Sequence, residues 1–598
     1  MGIIGRIGSE ITYLRAVGRA LARTASLTRH PRHTLGDFVR DQAARHGARP
    51  ALIAREQTFS YRQLHERANQ YARWAGELGL EKGACVALMM GNCPEYVAVW
   101  LGIVRAGGCV ALVNTHLAGR ALAHCLNRVP CRHAIVAPEF LDAYESAARH
   151  MQSWPQPWIS GRHSGARSLE DGVAAQPPAD LVAGELPALT VDDPALYIFT
   201  SGTTGMPKAA RITHYRALGM MHVFSAMCGM RDDDRLYLAQ PLYHTAAGVA
   251  GIGMALASGG SAVIADRFSA RRFWDDVVDN DCTCFQYIGE MCRYLLEAPT
   301  SHAETRHAVR FCTGNGLRRD IWRDFGTRFR PGRIIEWYGA TEGNVVLFNL
   351  DGKPGAAGRI LWWLDRWVST RIVRFDVDAE HPVRGADGRC VECAPGEAGE
   401  VIGKITTPRS RSVQRFEGYA SDADTQRKIL RDVFEPGDAW YRTGDIMRRD
   451  ERGYVYFVDR IGDTFRWKGE NVSTTEVEEV ILAYPGVRAA CVYGVRVRGH
   501  DGRAGMAAIV CDGEIDLAGL RSYIARQLPA YARPVFLRTM GTLATTTTFK
   551  VLRADLRNQG FDPRLAGDPV FLDDPESMTF EPLDADLFGR IEGGEIRL

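Results

Sequence analysis

Lysine is scarce in this chain of 598 residues, which has only seven lysines among its 73 basic side chains. A genome that favours arginine codons explains such a bias, because arginine serves wherever a generic positive charge is enough. A lysine that remains is therefore a candidate for a role that needs a compact, mobile charge rather than a planar fork. The seven are Lys82, Lys208, Lys353, Lys404, Lys428, Lys468 and Lys550.

The chain also lacks an excess of either charge, with 71 acidic side chains against the 73 basic ones. This balance creates no general basic field, so we expect no nucleic-acid partner. A hydrophobic content of 46% and a charged content of 24% exclude collagen-like and mostly disordered classes. The 14 cysteines are scattered and we find no signal-peptide pattern, so we expect a reducing, cytoplasmic location.

Long apolar runs suited to a membrane span are missing as well. The uncharged stretch 245–265 comes nearest, but its five glycines and its alanines favour a closely packed internal helix, a turn and a buried strand. Residues 1–30 are too polar to cross a bilayer, and their apolar residues recur at helical spacing with arginines between them. Two alternatives stay open for this basic segment: a helix on an anionic membrane surface, or a helix docked on its own domain.

Predicted strands and helices alternate through the first part of the chain. We predict helices at 61–79 and 93–107, and buried strands at 84–90 and 109–114. This β-α-β order indicates a parallel sheet with helices on its faces. Residues 151–190, which are rich in proline, glycine and alanine, are predicted to form a surface excursion.

The strongest local motif is YIFTSGTTGMPKAARITH at residues 197–214. An apolar strand leads into small hydroxyl and glycine residues, whose backbone N–H and side-chain O–H groups can converge on an anion. The motif is not a Walker loop, which needs Gly-Lys-Ser/Thr at the start of a helix. Here Pro207 precedes Lys208, and a strand is predicted after the lysine. We therefore predict a phosphate-binding loop between two strands, formed by Thr200, Ser201, Gly202, Thr203, Thr204, Gly205 and Lys208.

This loop resembles the phosphate-binding loop of the adenylate-forming superfamily, which includes acyl-CoA synthetases, peptide-synthetase adenylation domains and luciferases. Further segments resemble the superfamily in the same order, over about residues 35–565. The resemblance implies an α/β fold, with a large N-terminal domain of packed α/β sheets and a small, mobile α+β C-terminal domain. The expected divisions are a basic N-terminal segment at 1–30, the large domain at 31–459 and the small domain at 460–598.

The resemblance implies nucleotide contacts in three further motifs. TGNGLRRDIW at 313–322 resembles the stretch that lies against adenine, and WYGATEGN at 337–344 resembles the motif whose tyrosine stacks on the base. The glutamate of that motif is a hard oxygen ligand suited to Mg²⁺. In YRTGD at 441–445, the carboxylate can accept hydrogen bonds from both ribose hydroxyls. The implied residues are Gly314, Asn315, Gly316, Tyr338, Gly339, Thr341, Asp445 and Arg460, with Glu342 as the metal ligand.

Other residues resemble those that line the acyl tunnel, contact CoA or form the interdomain hinge in the superfamily. Tyr243 and His244 in PLYHTAAG resemble an aromatic gate beside the acyl tunnel, although a structural histidine is the alternative. Gly462 falls at the interdomain hinge, where a glycine can absorb large changes in φ and ψ. Lys468 and Gly469 resemble the segment that turns toward CoA. The resemblance assigns catalysis to Lys550, Thr341, Glu342 and His244.

Three segments resemble the branch of very-long-chain acyl-CoA synthetases and fatty-acid transport proteins: 374–403, 459–474 and 545–563. They imply an ATP-dependent long-chain or very-long-chain fatty acid–CoA ligase that uses Mg²⁺ and forms an acyl-AMP intermediate. The alternatives are a CoA ligase for a bile, carnitine-like or aromatic acid, and a transport protein with secondary ligase activity. Chain-length preference and oligomeric state are not predicted.

A cluster of tryptophans bears on membrane contact. Trp362, Trp363 and Trp367 are interleaved with arginines, which suits either a patch at the lipid–water boundary or core aromatics on one helix. Together with residues 1–30, the boundary alternative would give peripheral contact with the inner face of the membrane.

Overall fold

The structure is a computed structural model, and it describes most of the chain. The described residues are 3–161, 167–182, 184–200, 207–361, 369–377, 379–406, 415–500, 502–546, 551–596 and 598. The α-helices are α1 Ile3–Arg29, α2 Leu35–His46, α3 Tyr61–Glu77, α4 Pro94–Arg105, α5 Gly119–Arg128, α6 Leu141–Glu145, α7 Leu169–Ala174, α8 His214–Cys228, α9 Ile252–Ser258, α10 Phe273–Asp279, α11 Gly289–Glu297, α12 Arg319–Phe329, α13 Asp422–Gln426, α14 Thr474–Leu482, α15 Leu517–Gln527, α16 Arg553–Gln559, α17 Pro563–Ala566 and α18 Ala585–Glu592. A π-helix covers Thr245–Gly251.

The strands are β1 Pro50–Ile53, β2 Thr58–Ser60, β3 Cys85–Met89, β4 Cys109–Leu112, β5 Cys131–Val136, β6 Pro157–Ile159, β7 Arg167–Ser168, β8 Pro194–Thr200, β9 Lys208–Thr213, β10 Arg235–Leu238, β11 Ser261–Ile264, β12 Cys284–Ile288, β13 Phe311–Asn315, β14 Ile334–Gly339, β15 Val346–Asn349, β16 Gly358–Arg359, β17 Thr370–Asp376, β18 His381–Pro382, β19 Ala398–Lys404, β20 Ile429–Arg431, β21 Ala439–Arg449, β22 Tyr454–Arg460, β23 Phe465–Trp467, β24 Glu470–Val472, β25 Val487–Val495, β26 Ala504–Cys511, β27 Phe536–Thr539, β28 Val570–Asp574 and β29 Thr579–Pro582.

The chain forms two compact units. Unit 1 contains Met1–Arg359, Gly403–Arg431 and Asp438–Tyr441, and unit 2 contains Ile360–Ile402, Asp432–Gly437 and Arg442–Leu598. These units group residues 360–402 and 442–459 with the C-terminal part, whereas the expected division lies at 459/460. The expected boundary separates a fixed from a mobile domain, whereas the two units are defined by compactness, so the boundary at 459/460 stays a prediction.

Unit 1 contains two sheets whose strands are mostly parallel. One has the order β15-β14-β13-β12-β10-β11-β1-β2, and the other has the order β7-β6-β5-β3-β4-β8-β9. The first predicted β-α-β segment is confirmed as β3, α4 and β4, because β3 and β4 pair in parallel and both are fully buried. The crossover helix α4 contacts β4, as expected for the β-α-β segments of an α/β unit.

Helix α3 illustrates why these segments fold locally. The Ser60 hydroxyl accepts a hydrogen bond from the Gln63 N–H at 3.2 Å, and the Gln63 side chain accepts one from the Ser60 N–H at 2.9 Å. This reciprocal pair satisfies two N–H groups that a helix start leaves open. Leu64, Ala68 and Tyr71 follow at spacings of four and three residues, and all three are buried. The start signal and the apolar period thus agree, and the predicted helix at 61–79 is confirmed.

Unit 2 contains a mixed α+β region at its C-terminal end. Its five-stranded sheet has the order β25-β26-β27-β28-β29, in which only β26 and β27 pair in parallel. Strands β23 and β24 form a separate hairpin. Helix α14 begins as predicted, because the Ser473 side chain accepts a hydrogen bond from the Glu476 N–H at 3.2 Å. The expected α+β character of the C-terminal region is confirmed.

Two predictions about uncertain segments have different outcomes. Residues 245–265 form the π-helix, α9 and the buried strand β11, which confirms an internal helix followed by a strand. The described part of residues 151–190 is mostly exposed or half-buried, as predicted for a surface excursion, but the prediction missed that β6 and β7 extend a sheet in parallel register. Short strands at a sheet edge carry too few residues for a periodic pattern to be visible in the sequence.

The N-terminal helix α1 lies on unit 1 through one face. Tyr13 is 2% exposed, and its hydroxyl donates a hydrogen bond to the Phe348 carbonyl at 3.0 Å and accepts one from the Leu350 N–H at 3.0 Å. Arg359 donates to Glu10 at 2.5 Å. The docked alternative is therefore confirmed for this face of the helix. In the part of the chain that the structure describes, no helix is long and apolar enough to cross a membrane.

Candidate active site

Two paired strands flank the predicted phosphate-binding loop. Strand β8 ends at Thr200, strand β9 begins at Lys208, and these two residues are register partners in an antiparallel pair. The prediction of a loop between two strands is therefore confirmed. The loop residues Ser201, Gly202, Thr203, Thr204 and Gly205 lie outside the described residues.

Lys208 lies among groups from a distant part of unit 1. Its Nζ atom is 3.3 Å from a carboxylate oxygen of Asp424 and 5.6 Å from the centre of the Tyr419 ring. Both side chains of the ion pair are largely buried, so the charges interact more strongly than a surface pair would. The lysine is thereby held at the start of β9, and an ammonium group carries three N–H donors in all.

Glu342 lies in the turn after β14 and is held by two tyrosines. Its Oε1 atom accepts a hydrogen bond from the Tyr419 hydroxyl at 2.7 Å and one from the Tyr441 hydroxyl at 3.3 Å. Burial and the adjacent Glu342 carboxylate raise the pKa of Tyr419 far above its usual value, so the phenol stays protonated and keeps donating. Tyr419 therefore joins the Lys208 group to the Glu342 carboxylate.

The backbone around Thr341 is fixed by a buried arginine. Arg216 donates from Nε to the Thr341 carbonyl at 3.0 Å and from Nη2 to the Ala340 carbonyl at 3.1 Å, and it also contacts the Gly343 carbonyl. The Thr341 hydroxyl is 2.8 Å from that of Thr245 at the start of the π-helix. These bonds hold Thr341 and Glu342 in one geometry, which an electrostatic site needs.

The predicted adenine-facing residues lie at adjacent strand ends. Asn315 ends β13, Tyr338 and Gly339 end β14, and the two strands pair in parallel. Gly316 has φ +83°, and a Cβ atom at Gly314 would lie 2.2 Å from the Tyr287 carbonyl oxygen. Only glycine fits both positions, so the backbone turns here with an open surface beside the two strand ends. Ligands of open α/β sheets bind at this edge.

A buried carboxyl group supports that turn. Glu336 accepts a hydrogen bond from the Leu317 N–H at 3.1 Å and contacts the Tyr287 hydroxyl. Burial raises the pKa of Glu336 to about 8, since a carboxylate at this depth loses its hydration. The sequence reasoning missed this residue, although it stands directly before the WYGATEGN motif.

Tyr243 and His244 pack together at the start of the π-helix. Their ring centroids are 4.5 Å apart, and the His244 carbonyl accepts a hydrogen bond from the Gly248 N–H at 2.8 Å. Loss of hydration lowers the pKa of His244 to about 4, so the imidazole is neutral near pH 7. The Asn92 side chain holds this segment by accepting from the Leu242 N–H at 2.9 Å and donating to the Gln240 carbonyl at 2.9 Å. A π-helix next to a candidate gate fits the frequent use of π-helices at functional sites.

Within unit 2, the two predicted ribose residues are partners. Asp445 on β21 and Arg460 on β22 face each other in register, and the Arg460 Nε atom is 3.3 Å from an Asp445 carboxylate oxygen. Asp445 is 7% exposed. The pair could present a carboxylate and a guanidinium to one diol, and its role in nucleotide binding stays a prediction.

The predicted hinge and CoA-facing residues also lie in unit 2. Gly462 has φ +90°. Lys468 and Gly469 form the two-residue turn between β23 and β24, with φ values of +51° and +84°. Hairpins with two-residue turns often need positive φ at both positions, and a lysine rarely adopts it.

Some predicted residues lie outside the described residues. These are the loop residues named above, the catalytic candidate Lys550 and the tryptophans Trp362, Trp363 and Trp367. Conversely, the sequence reasoning missed Arg216, Tyr419 and Asp424. None of them belongs to a local motif, and Tyr419 lies 77 positions from Glu342, so only the fold brings them together.

The donor set around Glu342 fits a magnesium ion. Its described side-chain groups include the Glu342 carboxylate and the hydroxyls of Thr341, Thr245, Tyr419 and Tyr441, all of which offer oxygen. Mg²⁺ prefers hard oxygen ligands and usually keeps several waters alongside one or two carboxylates. Glu342 would hold the ion, with substrate phosphates as the natural further ligands.

Comparisons with known proteins identify the family of the chain. The model of the AMP-binding enzyme family matches residues 39–404, and that of the AMP-binding enzyme C-terminal domain matches residues 476–550. Human long-chain fatty acid transport protein 3 is 40% identical over 87% of this chain and 76% of its own length. Rat long-chain fatty acid transport protein 2 is 37% identical over 95% of this chain and 92% of its own length.

Solved structures share the fold at lower identity. ATP-bound MatB from Rhodopseudomonas palustris has a TM-score of 0.74 and 24% identity, covering 88% of this chain and 98% of that one. The fatty acyl CoA synthetase of Mycobacterium tuberculosis has a TM-score of 0.62 and 24% identity, covering 88% and 98%. From the family model and the relatives at about 40% identity, the chain belongs to the AMP-binding enzymes, in the branch of very-long-chain acyl-CoA synthetases and fatty-acid transport proteins.

Proposed function

We propose that this protein is an ATP-dependent long-chain or very-long-chain fatty acid–CoA ligase that forms an acyl-AMP intermediate. The observation that carries the proposal is the largely buried group of Lys208, Asp424, Tyr419 and Glu342 at the start of β9. It combines a mobile cation with a hard oxygen ligand beside the strand ends where a nucleotide would lie. The fatty-acid class comes from the relatives named as long-chain fatty acid transport proteins.

The first half-reaction joins the acid to AMP. A carboxylate oxygen of the acid attacks the α-phosphorus of ATP, the bond from that phosphorus to the bridging oxygen breaks, and pyrophosphate leaves with the electron pair. The obstacle is crowding of negative charge, so fixed positive groups and positioning supply most of the catalysis. Lys208 offers its charge to the phosphates, and the Arg216 bonds keep Thr341 aimed at a phosphate oxygen. Mg²⁺ on Glu342 would neutralise phosphate charge.

The second half-reaction transfers the acyl group to CoA. The CoA sulfur attacks the carbonyl carbon of acyl-AMP, AMP leaves, and the thiol proton goes to solvent or to a nearby base. In this proposal Lys550 serves the first half, and the C-terminal domain at 460–598 then rotates about Gly462. The turn of Lys468 and Gly469 thereby replaces Lys550 at the reaction site.

Fatty acids are favoured over the other acids considered, namely bile, carnitine-like and aromatic acids. The neutral His244 and the buried Tyr243 make the candidate gate largely uncharged, which disfavours a charged carnitine-like acid. The names of the relatives favour a fatty acid over a bile or aromatic acid. Coupling to fatty-acid uptake is part of the proposal, with a cytoplasmic protein that contacts the inner face of the membrane. Conversion to the CoA ester would trap a fatty acid that has crossed the membrane.

The test measures pyrophosphate release with ATP and Mg²⁺ over acids from acetate to tetracosanoate, with and without CoA. We expect release to peak at long chains, with AMP and acyl-CoA formed when CoA is present. Glu342→Gln should lower the rate by roughly 100-fold, because it removes one charge from an electrostatic site. Tyr419→Phe is the matched control: it removes one hydrogen bond from that carboxylate and should cost about tenfold or less.

Three results would contradict the proposal. Release with aromatic or bile acids alone would favour the alternative substrates. Pyrophosphate release without any thioester would retain adenylation and reject CoA as acceptor. Equal rates for Glu342→Gln and wild type would remove Glu342 from the site.

A further inference from the structure

A groove lined by six arginines lies between α1 and the C-terminal end of α8. Its volume is about 520 Å³, and the arginines are Arg15, Arg19, Arg23, Arg231, Arg310 and Arg333. We call it the arginine groove. None of the described residues that line it is acidic. A cavity of this size holds a small organic molecule or a headgroup rather than a single ion.

Part of this charge has a structural role. Arg19 and Arg333 donate to the carbonyls of Ala226 and Cys228 at 2.9 Å each, and Arg23 donates to the Ser225 hydroxyl at 2.6 Å. These bonds satisfy acceptors in the last turn of α8, where a helix end favours cations. Each guanidinium has five N–H donors, so these contacts leave donors on every one of them.

The structural role does not account for the whole cluster. Arg310 pairs with Asp234, with Nε 3.0 Å from Oδ1, and this carboxylate offsets one charge of the six. Arg15 and Arg231 are exposed at the groove. Burial lowers the pKa of both Arg23 and Arg333, and neighbouring arginines lower it further because the like charges repel one another. A bound anion would relieve this repulsion, and phosphate accepts from guanidinium forks with good geometry.

The groove is separate from the candidate active site. Arg310 immediately precedes β13 and Arg333 immediately precedes β14, so both stand at the amino ends of parallel strands. The predicted nucleotide residues stand at the carboxyl ends of the same strands. The two sites therefore lie at opposite edges of one sheet, and the arginines are not part of the ATP site.

An exposed apolar stripe runs along the outer face of α1, beside the arginine groove. Ile7, Ile11, Leu14 and Leu21 are 55%, 41%, 52% and 62% exposed, and their spacings of four, three and seven residues place them on one side of the helix. Tyr13, which is 2% exposed and docks on unit 1, faces away from this stripe, whereas Glu10, which pairs with Arg359, lies at its border. Large aliphatic side chains in a contiguous row are unfavourable in water and mark an interaction surface.

We propose that the arginine groove binds the phosphate headgroup of an anionic phospholipid while the outer stripe of α1 enters the lipid interface. Basic side chains beside an apolar helix face are what an anionic membrane surface attracts. A second copy fits less well, because two-fold pairing through the stripe would bring the flanking arginines of both copies together. The inference deepens the proposed function, since it would place the large unit on the bilayer that holds its substrate.

The test is cosedimentation of the full chain with phosphatidylcholine vesicles, with and without phosphatidylglycerol, at low and high salt. We expect binding only to the anionic vesicles, weakened by salt. The double variant Arg15→Gln and Arg231→Gln spares the α8 contacts and should bind at least about tenfold more weakly. Leu14→Ser with Leu21→Ser should also weaken binding. Arg526→Gln and Leu565→Ser are matched controls, because Arg526 is exposed in unit 2 and Leu565 is 62% exposed, like Leu21.

Each contrary outcome overturns the inference. It fails if wild type does not bind anionic vesicles, or if the arginine variant binds like the controls. It also fails if the groove binds pyrophosphate in solution, as followed by calorimetry, and vesicles do not compete. Concentration-dependent dimers that Leu14→Ser abolishes, without vesicle binding, would assign the stripe to a second copy. Pyrophosphate release is measured on the wild-type protein in parallel, so absence of acid-dependent release together with intact binding to anionic vesicles rejects the proposed function alone.

Discussion

At the residue scale, the site depends on groups whose ionisation is set by burial. His244 stays neutral near pH 7, Tyr419 stays protonated and Glu336 titrates near neutrality. Each of these states follows from the cost of removing a charge from water, and not from residue type. A residue at the same sequence spacing but on the surface would behave differently.

Glu336 makes stability depend on pH. Its folded pKa of about 8 lies above the ordinary value of 4.5, so the folded state holds a proton that the unfolded state loses. This contribution is therefore fully present below about pH 4.5 and declines through pH 8, at up to about 1.4 kcal/mol per pH unit. Glu336→Gln should remove that decline, giving a variant whose Tm changes less than wild type between pH 5 and 8. Parallel curves for the two proteins would show that Glu336 is ionised when folded.

At the element scale, the β23–β24 hairpin holds a candidate functional residue, Lys468, in an unfavourable backbone conformation. Lys468 adopts φ +51° in the two-residue turn, a conformation that costs a non-glycine residue about 1 kcal/mol or more. Its Nζ lies 5.7 Å from the Trp467 ring centre. Lys468 is one of only seven lysines in the chain, and it stands at a turn position where asparagine or glycine would be more favourable.

Lys468→Asn separates the turn from the charge. Asparagine tolerates positive φ, so Tm should stay equal or rise slightly. Adenylation, followed by pyrophosphate release, should be unchanged, whereas thioester formation from supplied acyl-AMP and CoA should fall by roughly tenfold because one charge facing CoA is lost. Lys353→Asn, a lysine of unit 1, is the control. Equal loss of both half-reactions would contradict a CoA-facing role.

At the scale of the whole molecule, the protein consists of two compact units, and the N-terminal helix α1 belongs to unit 1. Gly462 follows β22, which ends at Arg460, and immediately precedes Asp463. The Asp463 carboxylate pairs with Arg553 at 2.7 Å. A Cβ atom at Gly462 would meet nothing within 4 Å, so its φ of +90° is the constraint there rather than space. That combination suits a pivot.

Gly462→Pro tests the pivot. Proline holds φ near −65°, so the variant should block one half-reaction by at least about tenfold more than the other. Gly462→Asp is the control, because its side chain has room and aspartate tolerates unusual φ better than most residues. Circular dichroism and Tm check that both variants fold. Unchanged rates in both half-reactions would remove Gly462 as the hinge.

Local physics accounts for what the sequence determined by itself. The strand-flanked loop, the α3 and α14 starts and the parallel β3–β4 pair follow from short-range periodicity, cap residues and turn chemistry. The family instead follows from the resemblance of several motifs to those of known enzymes. The edge strands β6 and β7 were missed because they are too short to show a period. The roles of Lys550 and the tryptophans remain predictions, as do those of the other site residues.

Tertiary structure decided which residues meet. Tyr419 and Asp424 reach Glu342 and Lys208 from 77 and 216 positions away, and Arg216 fixes the Thr341 backbone from 125 positions away. It also decided which face of α1 is docked and which is exposed, since both faces repeat at helical spacing in the sequence. Periodicity along a helix reveals an apolar face, but only packing against a partner removes that face from water.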